Sequence, residues 1–445
     1  MMTLEQQLEL EKMYKNISEN RALQLLTKAK EDGAYERTRV GQGIMNHLAE
    51  TYARNLQAFV EDCAKPKRGV KPTYAKIVKD YTLALNGDTQ KLARICATLS
   101  LRITLGDMMK QSYIANNIGS KIGMELESEV QATAFFDDKD NVKRFGKSLD
   151  SRVGFSYRRI FMEHVYNGVG MEFVKHTEKE KTALGMQMLA ILVETTDFFV
   201  FSEDVKDNKT QQLQIMPTDI FLKAVSKAED KSISLAIKYV PTIIPPKPWT
   251  DFWTGGYYGA LSQHSTLMRY IPYARSSQTR KLYTARLNEL DLSNLYSAVN
   301  AIQATAYRIN KSVLEVIKHY LNVGGGVAGL AETNPLEQLP RFPHAYDEIK
   351  ENEELLKQFK EHKKKMVEII HKENQRKGKA LRAVMILKVA EDFAKYATIW
   401  FPMNIDFRGR VYPIPTGLNP QEDDMTKALL QYAEPVPVSA EDAPD

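Results

Sequence analysis

Residues 401–413 read FPMNIDFRGRVYP, and the rest of the chain can be interpreted from this stretch. Gly409 separates Arg408 from Arg410, which predicts a tight turn because glycine tolerates a positive φ. The two guanidinium groups offer forked donors that suit phosphates or the edges of bases, and Tyr412 offers a ring for stacking. Asp406 beside two arginines is also typical of a plain structural turn held by ion pairs. Both interpretations remain open on the residues alone.

The longer sequence around this motif favours a contact with nucleic acid over a plain structural turn. FPxNxDxRGRVYP, followed by Asn419-Pro420 and by Asp424-Met425-Thr426-Lys427, resembles the start of the palm in single-subunit, phage-type DNA-directed RNA polymerases. The segment IPPKPWT…GGYY within residues 240–259 resembles the same family. The resemblance implies that the motif lies against the template strand and the RNA–DNA hybrid. The residues expected there are Asp406, Arg408, Gly409, Arg410 and Tyr412.

Composition limits the class of protein without deciding it. The chain has 445 residues, an apolar fraction of 43% and a formal net charge of +5, which predicts a globular protein of two or three domains. The small positive charge is compatible with nucleic acid. Two cysteines at unrelated positions argue against disulfides and structural zinc. With no secretory signal and no long apolar run, we expect a cytoplasmic protein with no membrane partner.

A basic loop is predicted at residues 63–73, CAKPKRGVKPT, where two prolines and a glycine end a helix. Such a loop is usually a solvated linker, but a rigid basic loop also suits a narrow minor groove. KRGVKPT resembles the family's loop that reads the AT-rich upstream part of a promoter. The resemblance implies promoter contacts by Lys65, Lys67, Arg68 and Lys71.

A β-hairpin is predicted from Phe198–Phe201 and Gln211–Met216, with a polar turn between them. In the family, a hairpin at the matching position wedges into the upstream edge of the melted promoter. Val205 is the only aliphatic residue near this tip, so we expect it to be the wedge, although acidic neighbours suit phosphate poorly.

Helices are predicted for most of the remaining chain. Residues 291–322 keep apolar steps of three and four, which predicts one continuous helix capped by Asp291 or Ser293. Residues 347–396 predict two helical stretches hinged near Gly378, with Ile370, Leu381 and Val384 on the apolar stripes. By resemblance this pair is the thumb that grips the hybrid. The basic residues expected to contact nucleic acid around the hinge are Lys372, Arg376, Lys377, Lys379 and Arg382.

The chemistry of the family requires two carboxylates that hold two Mg²⁺ ions. Neither the DGSCSGIQH-type nor the HDSF-type motif occurs in this sequence, and Asp423-Asp424 matches a different family stretch. We therefore expect no catalytic residue and no metal site in this chain, and no RNA synthesis by it alone. Mg²⁺ is expected only for the complete enzyme.

The sequence thus predicts a mainly α protein with three parts. These are an N-terminal promoter-binding domain with a β-hairpin (residues 1–310), a helical thumb (311–397) and the first strands of a right-hand palm (398–445). The resemblance implies promoter recognition, template melting and a grip on the hybrid, in the cytoplasm of a phage-infected bacterium. The partners are duplex promoter DNA, the template strand and the RNA–DNA hybrid. The alternative is a non-catalytic DNA-binding subunit of a split polymerase, with a separate palm–fingers chain.

Overall fold

The computed structural model describes residues 2–65, 72–138, 141, 155–168, 174–206, 210–262, 265–268, 277–337, 339–344, 348–349 and 352–435. The chain divides into two compact units. One comprises Glu19–Ala236, and the other comprises Met1–Ser18 together with Ile237–Asp445. The described part is mainly helical, as the sequence predicts. The predicted functional boundaries at 310 and 397 stay predictions.

The Glu19–Ala236 unit is a helical assembly with one hairpin. Its elements are the end of α1 (Leu4–Glu31), α2 (Arg39–Ala64), α3 (Thr73–Ala84), α4 (Thr89–Met109), α5 (Ala115–Phe135), α6 (Phe155–Gly168), α7 (Glu178–Thr195), β1 (Phe199–Lys206), β2 (Thr210–Pro217) and α8 (Asp219–Ser234). Side-chain caps set several starts: Thr38 for α2, Asp88 for α4 and Thr218 for α8. Thr177 and Glu180 form a complete capping box on α7.

The core of this unit forms where α2, α4, α5 and α7 bury aliphatic stripes, including Leu56, Ile118 and Leu184, each 0% exposed. Two helices approach especially closely. A Cβ on Gly185 would overlap the backbone of Gly119, and a Cβ on Gly123 would overlap the backbone of Lys181. These glycines let α5 and α7 cross backbone to backbone, so their small size is a packing requirement.

The predicted hairpin is present. Strands β1 and β2 are antiparallel, with a register that runs from Phe199↔Pro217 to Lys206↔Thr210. Both strands extend further toward the tip than the apolar alternation predicts, because backbone pairing continues through the polar residues Ser202 to Asp204. Ladder hydrogen bonds do not depend on side-chain polarity, so the pattern underestimates strand length.

The second unit combines helices with short strands. It contains residues Leu4–Ser18 of α1, then α9 (Ser277–Asn288), α10 (Ser293–Gln303), β3 (Tyr307–Ile309), α11 (Lys311–Asn322), α12 (Glu353–Phe393), β4 (Met403–Ile405), β5 (Val411–Pro413), α13 (Asp424–Ala428) and β6 (Leu430–Tyr432). Strand β3 pairs with β6, and β4 pairs with β5, both antiparallel.

The proline-rich segment 240–259 is built into the core of the second unit. The Glu11 carboxylate, 0% exposed, accepts backbone hydrogen bonds from Tyr258 (3.0 Å), Gly259 (2.7 Å) and Leu261 (3.2 Å). Trp249 is 1% exposed, and its indole N–H donates to the carbonyl of Met403 at 2.9 Å. The segment therefore supports β4 directly.

The continuous helix predicted for residues 291–322 is wrong. Residues 307–309 form β3 instead, because Tyr307 exchanges two backbone hydrogen bonds of 2.8 Å with Ile399 and its strand also pairs with β6. The Asn310 side chain then accepts from the Val313 amide at 3.1 Å and caps α11. At the other end, Asp291 accepts from the Ser293 amide at 3.0 Å.

The hinge predicted near Gly378 is also wrong. Helix α12 runs without a break from Glu353 to Phe393, through Gly378. One glycine costs a helix only about 1 kcal/mol relative to alanine, which the surrounding Lys, Ala, Leu and Glu residues tolerate. A separate property concerns every described helix: none combines the length and the hydropathy that a membrane-spanning segment requires.

Candidate nucleic-acid interface

The Asp406 turn connects β4 to β5, and its geometry follows from one carboxylate. Asp406 Oδ1 accepts hydrogen bonds from the amides of Arg408 (2.8 Å) and Arg410 (3.0 Å). The backbone closes the same loop, since the Asp406 amide donates to the Arg410 carbonyl at 2.9 Å. Gly409 has a φ of +80°, as the sequence predicts for a tight turn. Residues 408–410 are therefore held in a defined loop at the surface.

The two arginine side chains of this turn are exposed, and the charge of Arg410 is close enough to Asp406 to help lower its pKa. Among the described residues, neither guanidinium has a hydrogen-bond or ion-pair partner, and both residues are exposed. Arg408 lies over the Phe407 ring at 5.2 Å from its centroid, and Phe407 is 47% exposed. The turn thus presents two charged forks and an aromatic face to solvent, which suits phosphates and bases.

Asp406 itself remains ionised. Partial burial pushes its pKa up, but the amides of Arg410 and Arg408 and the charge of Arg410 outweigh this and lower the pKa below its usual value. The Tyr412 hydroxyl adds a long contact of 3.5 Å to Oδ2. The ion-pairing interpretation of the motif is therefore only partly right, because Asp406 fixes the arginines through their amides and leaves the guanidiniums available.

The basic residues of α12 divide into two groups. Lys372 and Lys379 are exposed and make no ion pair within the described residues. Arg376 is engaged in the fold: its guanidinium binds both oxygens of Glu373 at 2.7 and 2.8 Å and donates to the carbonyls of Glu332 and Thr333. This pairing lowers the pKa of Glu373 to about 2, chiefly through the Arg376 hydrogen bonds. Lys377 lies 3.6 Å from the same carboxylate.

Arg382 links α12 to the region of the Asp406 turn. Its guanidinium pairs with Glu422 and, at 3.5 Å, with Asp423. The neighbouring Gln421 side chain donates to the Val411 carbonyl in β5 at 3.0 Å. The structure therefore brings the C-terminal part of the basic helix next to the strand that follows the Arg408–Arg410 loop.

The predicted promoter-contacting residues are only partly described. Lys65 ends α2, where its amide donates to the Asp62 carbonyl at 3.3 Å. Lys67, Arg68 and Lys71 lie outside the described residues. Val205 lies in β1, opposite Gln211 in the register, and its side chain is outside the described part. Their assignments to promoter DNA stay predictions.

The described residues offer no place for a metal ion. No group of three His, Cys, Asp or Glu side chains is positioned to hold one within that part of the chain. Asp423 caps α13 instead, accepting from the Thr426 amide at 3.0 Å and its hydroxyl at 2.7 Å. Burial raises the pKa of Asp423, but these bonds and Arg382 lower it overall. Asp423 is therefore engaged in the fold, and the expectation about Mg²⁺ stays a prediction.

Sequence reasoning missed a buried charge cluster in the Glu19–Ala236 unit. His176 has a side chain 6% exposed, with Nδ1 3.3 Å from Glu127 and Nε2 3.2 Å from Asp80. The Lys181 ammonium donates to the other Glu127 oxygen at 3.0 Å. The cluster ties α3, α5 and α7 together. The only signal in the sequence is the Thr177-x-x-Glu180 capping box beside it.

Comparison with known proteins accounts for this combination of features. Residues 174–304 match the family model described as DNA-directed RNA polymerase N-terminal. The chain is 25% identical to the DNA-directed RNA polymerase of Enterobacteria phage K11 over 97% of the chain and 49% of that protein. It is 26% identical to T7 RNA polymerase of Escherichia phage T7, over 88% of the chain and 43% of that protein.

A plant relative extends the comparison beyond phages. The mitochondrial DNA-directed RNA polymerase 1 of Arabidopsis thaliana is 24% identical over 71% of the chain and 29% of its own length. The chain spans about half the length of the phage relatives that it matches. The chain is therefore similar to the amino-terminal half of single-subunit, phage-type DNA-directed RNA polymerases.

Proposed function

We propose that this chain supplies promoter recognition, template melting and the grip on the RNA–DNA hybrid for DNA-directed RNA synthesis in a phage-infected bacterial cytoplasm. Nucleotidyl transfer belongs to palm and fingers carboxylates with Mg²⁺, which the described part of this chain does not provide. Its partners are promoter duplex, template strand and hybrid. This chain alone is inactive as a polymerase.

One observation carries the proposal. The Asp406 turn holds the backbone of Arg408 and Arg410 in place while both guanidiniums stay exposed. Because neither guanidinium pairs with a described residue, the two arginines contribute no ion pair to the stability of the turn. Exposed forked donors on a fixed loop are preorganised for phosphate, since little side-chain and backbone freedom is lost on binding.

The roles proposed for the other parts of the chain follow from the resemblance to phage-type polymerases. Residues 1–310 act as the promoter-binding domain, with Lys65, Lys67, Arg68 and Lys71 on the upstream DNA and Val205 as the wedge. Helix α12 acts as the thumb, in which Lys372 and Lys379 are the better placed contacts because Arg376 is engaged with Glu373. Residues 398–445 begin the palm.

The test is binding of the full chain to a short RNA–DNA hybrid across a salt series. Each phosphate contact contributes about one unit to the slope of log affinity against log salt. We expect salt-sensitive binding whose slope falls by about two when Arg408 and Arg410 are both changed to Gln. The matched control changes exposed Lys12 and Arg21 of α1 to Gln, which should leave the slope intact. An unchanged slope in the Arg408/Arg410 variant would remove the central support.

A further inference from the structure

The solvent-facing side of α12 carries two aliphatic pairs, with Asn374 and Lys377 between them, at positions of one three–four repeat. Positions 367, 370, 374, 377, 381, 384 and 388 alternate in steps of three and four, the spacing of a coiled-coil seam, and all seven are exposed. Its aliphatic members are Val367, Ile370, Leu381 and Val384, which are 65%, 50%, 62% and 58% exposed. At 1.5 Å per residue they extend over about 25 Å. We call these seven positions the α12 seam.

The seam is separate from the packed side of the helix. Ala383, Ala390 and Phe393 are 5%, 0% and 0% exposed and lie on the opposite side at 100° per residue. The sequence pattern predicts Ile370, Leu381 and Val384 as core, yet each is at least half exposed. Among the described residues, none covers these four aliphatic side chains, so they form an unpartnered face of α12.

A cavity at the edge of the seam is shaped to receive a partner side chain. It has a volume of 260 Å³, and Gly378, Leu381, Met385, Thr416 and Leu418 are among its lining residues. Within the described part of the chain, no atom lies within 4 Å of the position that a Cβ on Gly378 would occupy. The missing side chain thus leaves room for another backbone to approach α12 beside the cavity. In the packing of two helices, a side chain of one helix inserts into a hole between side chains of the other.

The charges of the seam select the kind of partner. Continuing the repeat toward the N-terminus adds Lys360 and Lys363, and the nine positions then contain four lysines and no acidic residue. Asn374 lies at the centre. Glu373, the nearby buried carboxylate, is already bound by Arg376 and Lys377. A second copy of this helix would bring four more lysines to the same contact, so it is disfavoured.

We propose that the α12 seam docks an acidic amphipathic α-helix of a partner polypeptide. The partner helix carries aliphatic residues at the same three–four spacing and Glu or Asp opposite Lys363, Lys377 and Lys388. The proposed nucleic-acid contacts Lys372 and Lys379 lie on the other side of α12. Lys377 is the one residue that both the seam and the predicted nucleic-acid contacts include, and it lies 3.6 Å from Glu373. The proposal does not depend on the proposed function, because it rests on the repeat, its exposure, the cavity and the charges.

The experiment measures fluorescence anisotropy of labelled synthetic peptides of about four heptads with the full chain. The probe has Leu at the seam positions and Glu beside them, which also prevents the peptide from pairing with itself. One control peptide has the Leu positions scrambled, and a second has Lys in place of Glu. We expect binding of the acidic probe only.

The variant that tests the surface is Leu381→Gln with Val384→Gln, and it should bind the probe about tenfold more weakly or worse. Lys372→Gln with Lys379→Gln is the matched control on the opposite side of the same helix and should change affinity by less than about twofold. Far-UV circular dichroism compares helix content, and glutamine is a good helix former.

Three results would overturn the proposal. The first is no binding of the acidic probe, or equal binding of the scrambled peptide. The second is weaker binding of an RNA–DNA hybrid by the Leu381/Val384 variant than by the Lys372/Lys379 variant, which would assign the seam to nucleic acid. The third is a dimeric chain in light scattering that becomes monomeric in the Leu381/Val384 variant, which would assign it to a second copy.

Discussion

At the scale of the residue, Asp406 is the group on which the candidate interface depends. Its Oδ1 atom accepts hydrogen bonds from the amides of Arg408 and Arg410 at 2.8 and 3.0 Å. A single side chain therefore fixes the backbone from which both guanidinium groups extend. A carboxylate that accepts from two amides of its own turn satisfies backbone donors locally, as in other turns begun by Asp or Asn.

Replacing this carboxylate should loosen the turn without unfolding the chain. In Asp406→Ala we expect faster hydrogen exchange at the amides of Arg408 and Arg410 and weaker binding of an RNA–DNA hybrid, by about fivefold to tenfold. Asp406→Asn keeps an acceptor oxygen and should fall between the alanine variant and the natural chain. Unaltered exchange at both amides in the alanine variant would contradict the assigned role.

The buried His176 cluster gives the Glu19–Ala236 unit a pH-dependent stability. The hydrogen bond to Glu127 raises the pKa of His176 against the effect of burial, and Asp80 adds to the rise. Because the charged form is favoured in the folded state, its stabilisation is complete below the ordinary pKa of about 6.5. It is lost as the pH rises through the raised value. Lys181 neutralises part of the Glu127 charge and limits the effect.

Thermal unfolding at a series of pH values checks this assignment. The natural chain should lose stability as the pH rises above about 6.5, whereas His176→Gln should be less stable at low pH and should lack that slope. His319→Gln in α11 is a control at a histidine outside the cluster. Identical slopes in the natural chain and in His176→Gln would show that another group titrates.

At the scale of the element, α12 shows what one glycine does in a long helix. Gly378 has helical geometry, and no atom lies near the place of its Cβ. Gly378→Ala should therefore stabilise the chain by about 0.5–1 kcal/mol in urea unfolding, because alanine reduces the backbone entropy of the unfolded state. Gly185→Ala is the contrasting variant, since its Cβ would overlap the backbone of Gly119 and should destabilise α5–α7 packing. A loss of stability in Gly378→Ala would indicate that α12 is bent at Gly378.

Periodicity alone predicts helices well and their interruptions poorly. The apolar steps from Leu295 to Ile317 continue through β3, yet Tyr307 pairs with Ile399, a partner 92 residues away in sequence. No local pattern contains that pairing, and tertiary hydrogen bonds outweigh the small differences in helix propensity. Asn310, a good N-cap, is the one local signal of the break.

The candidate site was more predictable than the fold around it. Residues 401–413 predict a turn with a positive φ at Gly409, and Gly409 has it. What the sequence could not predict is the distribution of partners, in which Arg376 is engaged with Glu373 while Lys372 and Lys379 are not. The Glu373–Arg376 pair has the i,i+3 spacing of a helix, but the carbonyls of Glu332 and Thr333 that also accept from Arg376 lie more than 40 residues before it.

At the scale of the whole molecule, recognition of the promoter and the grip on the RNA–DNA hybrid are assigned to different segments of the chain. Neutralising Lys67, Arg68 and Lys71 together should reduce transcription from a promoter by the completed enzyme more than transcription from a tailed, promoterless template. The reason is that contacts to upstream DNA are needed only for initiation at a promoter. We expect transcription to fall by at least about tenfold on the promoter template and by less than about twofold on the tailed template. Equal losses on both templates would show that the loop is not a promoter reader.

The most direct measurement is RNA synthesis from a phage-type promoter template by this chain alone and with a palm–fingers chain added. The account predicts no RNA from this chain alone and salt-sensitive nucleic-acid binding in the same preparation. RNA made only after addition would make this chain the promoter-binding and thumb part of a two-chain polymerase. RNA made by this chain alone would contradict the claim that nucleotidyl transfer requires carboxylates that it does not provide.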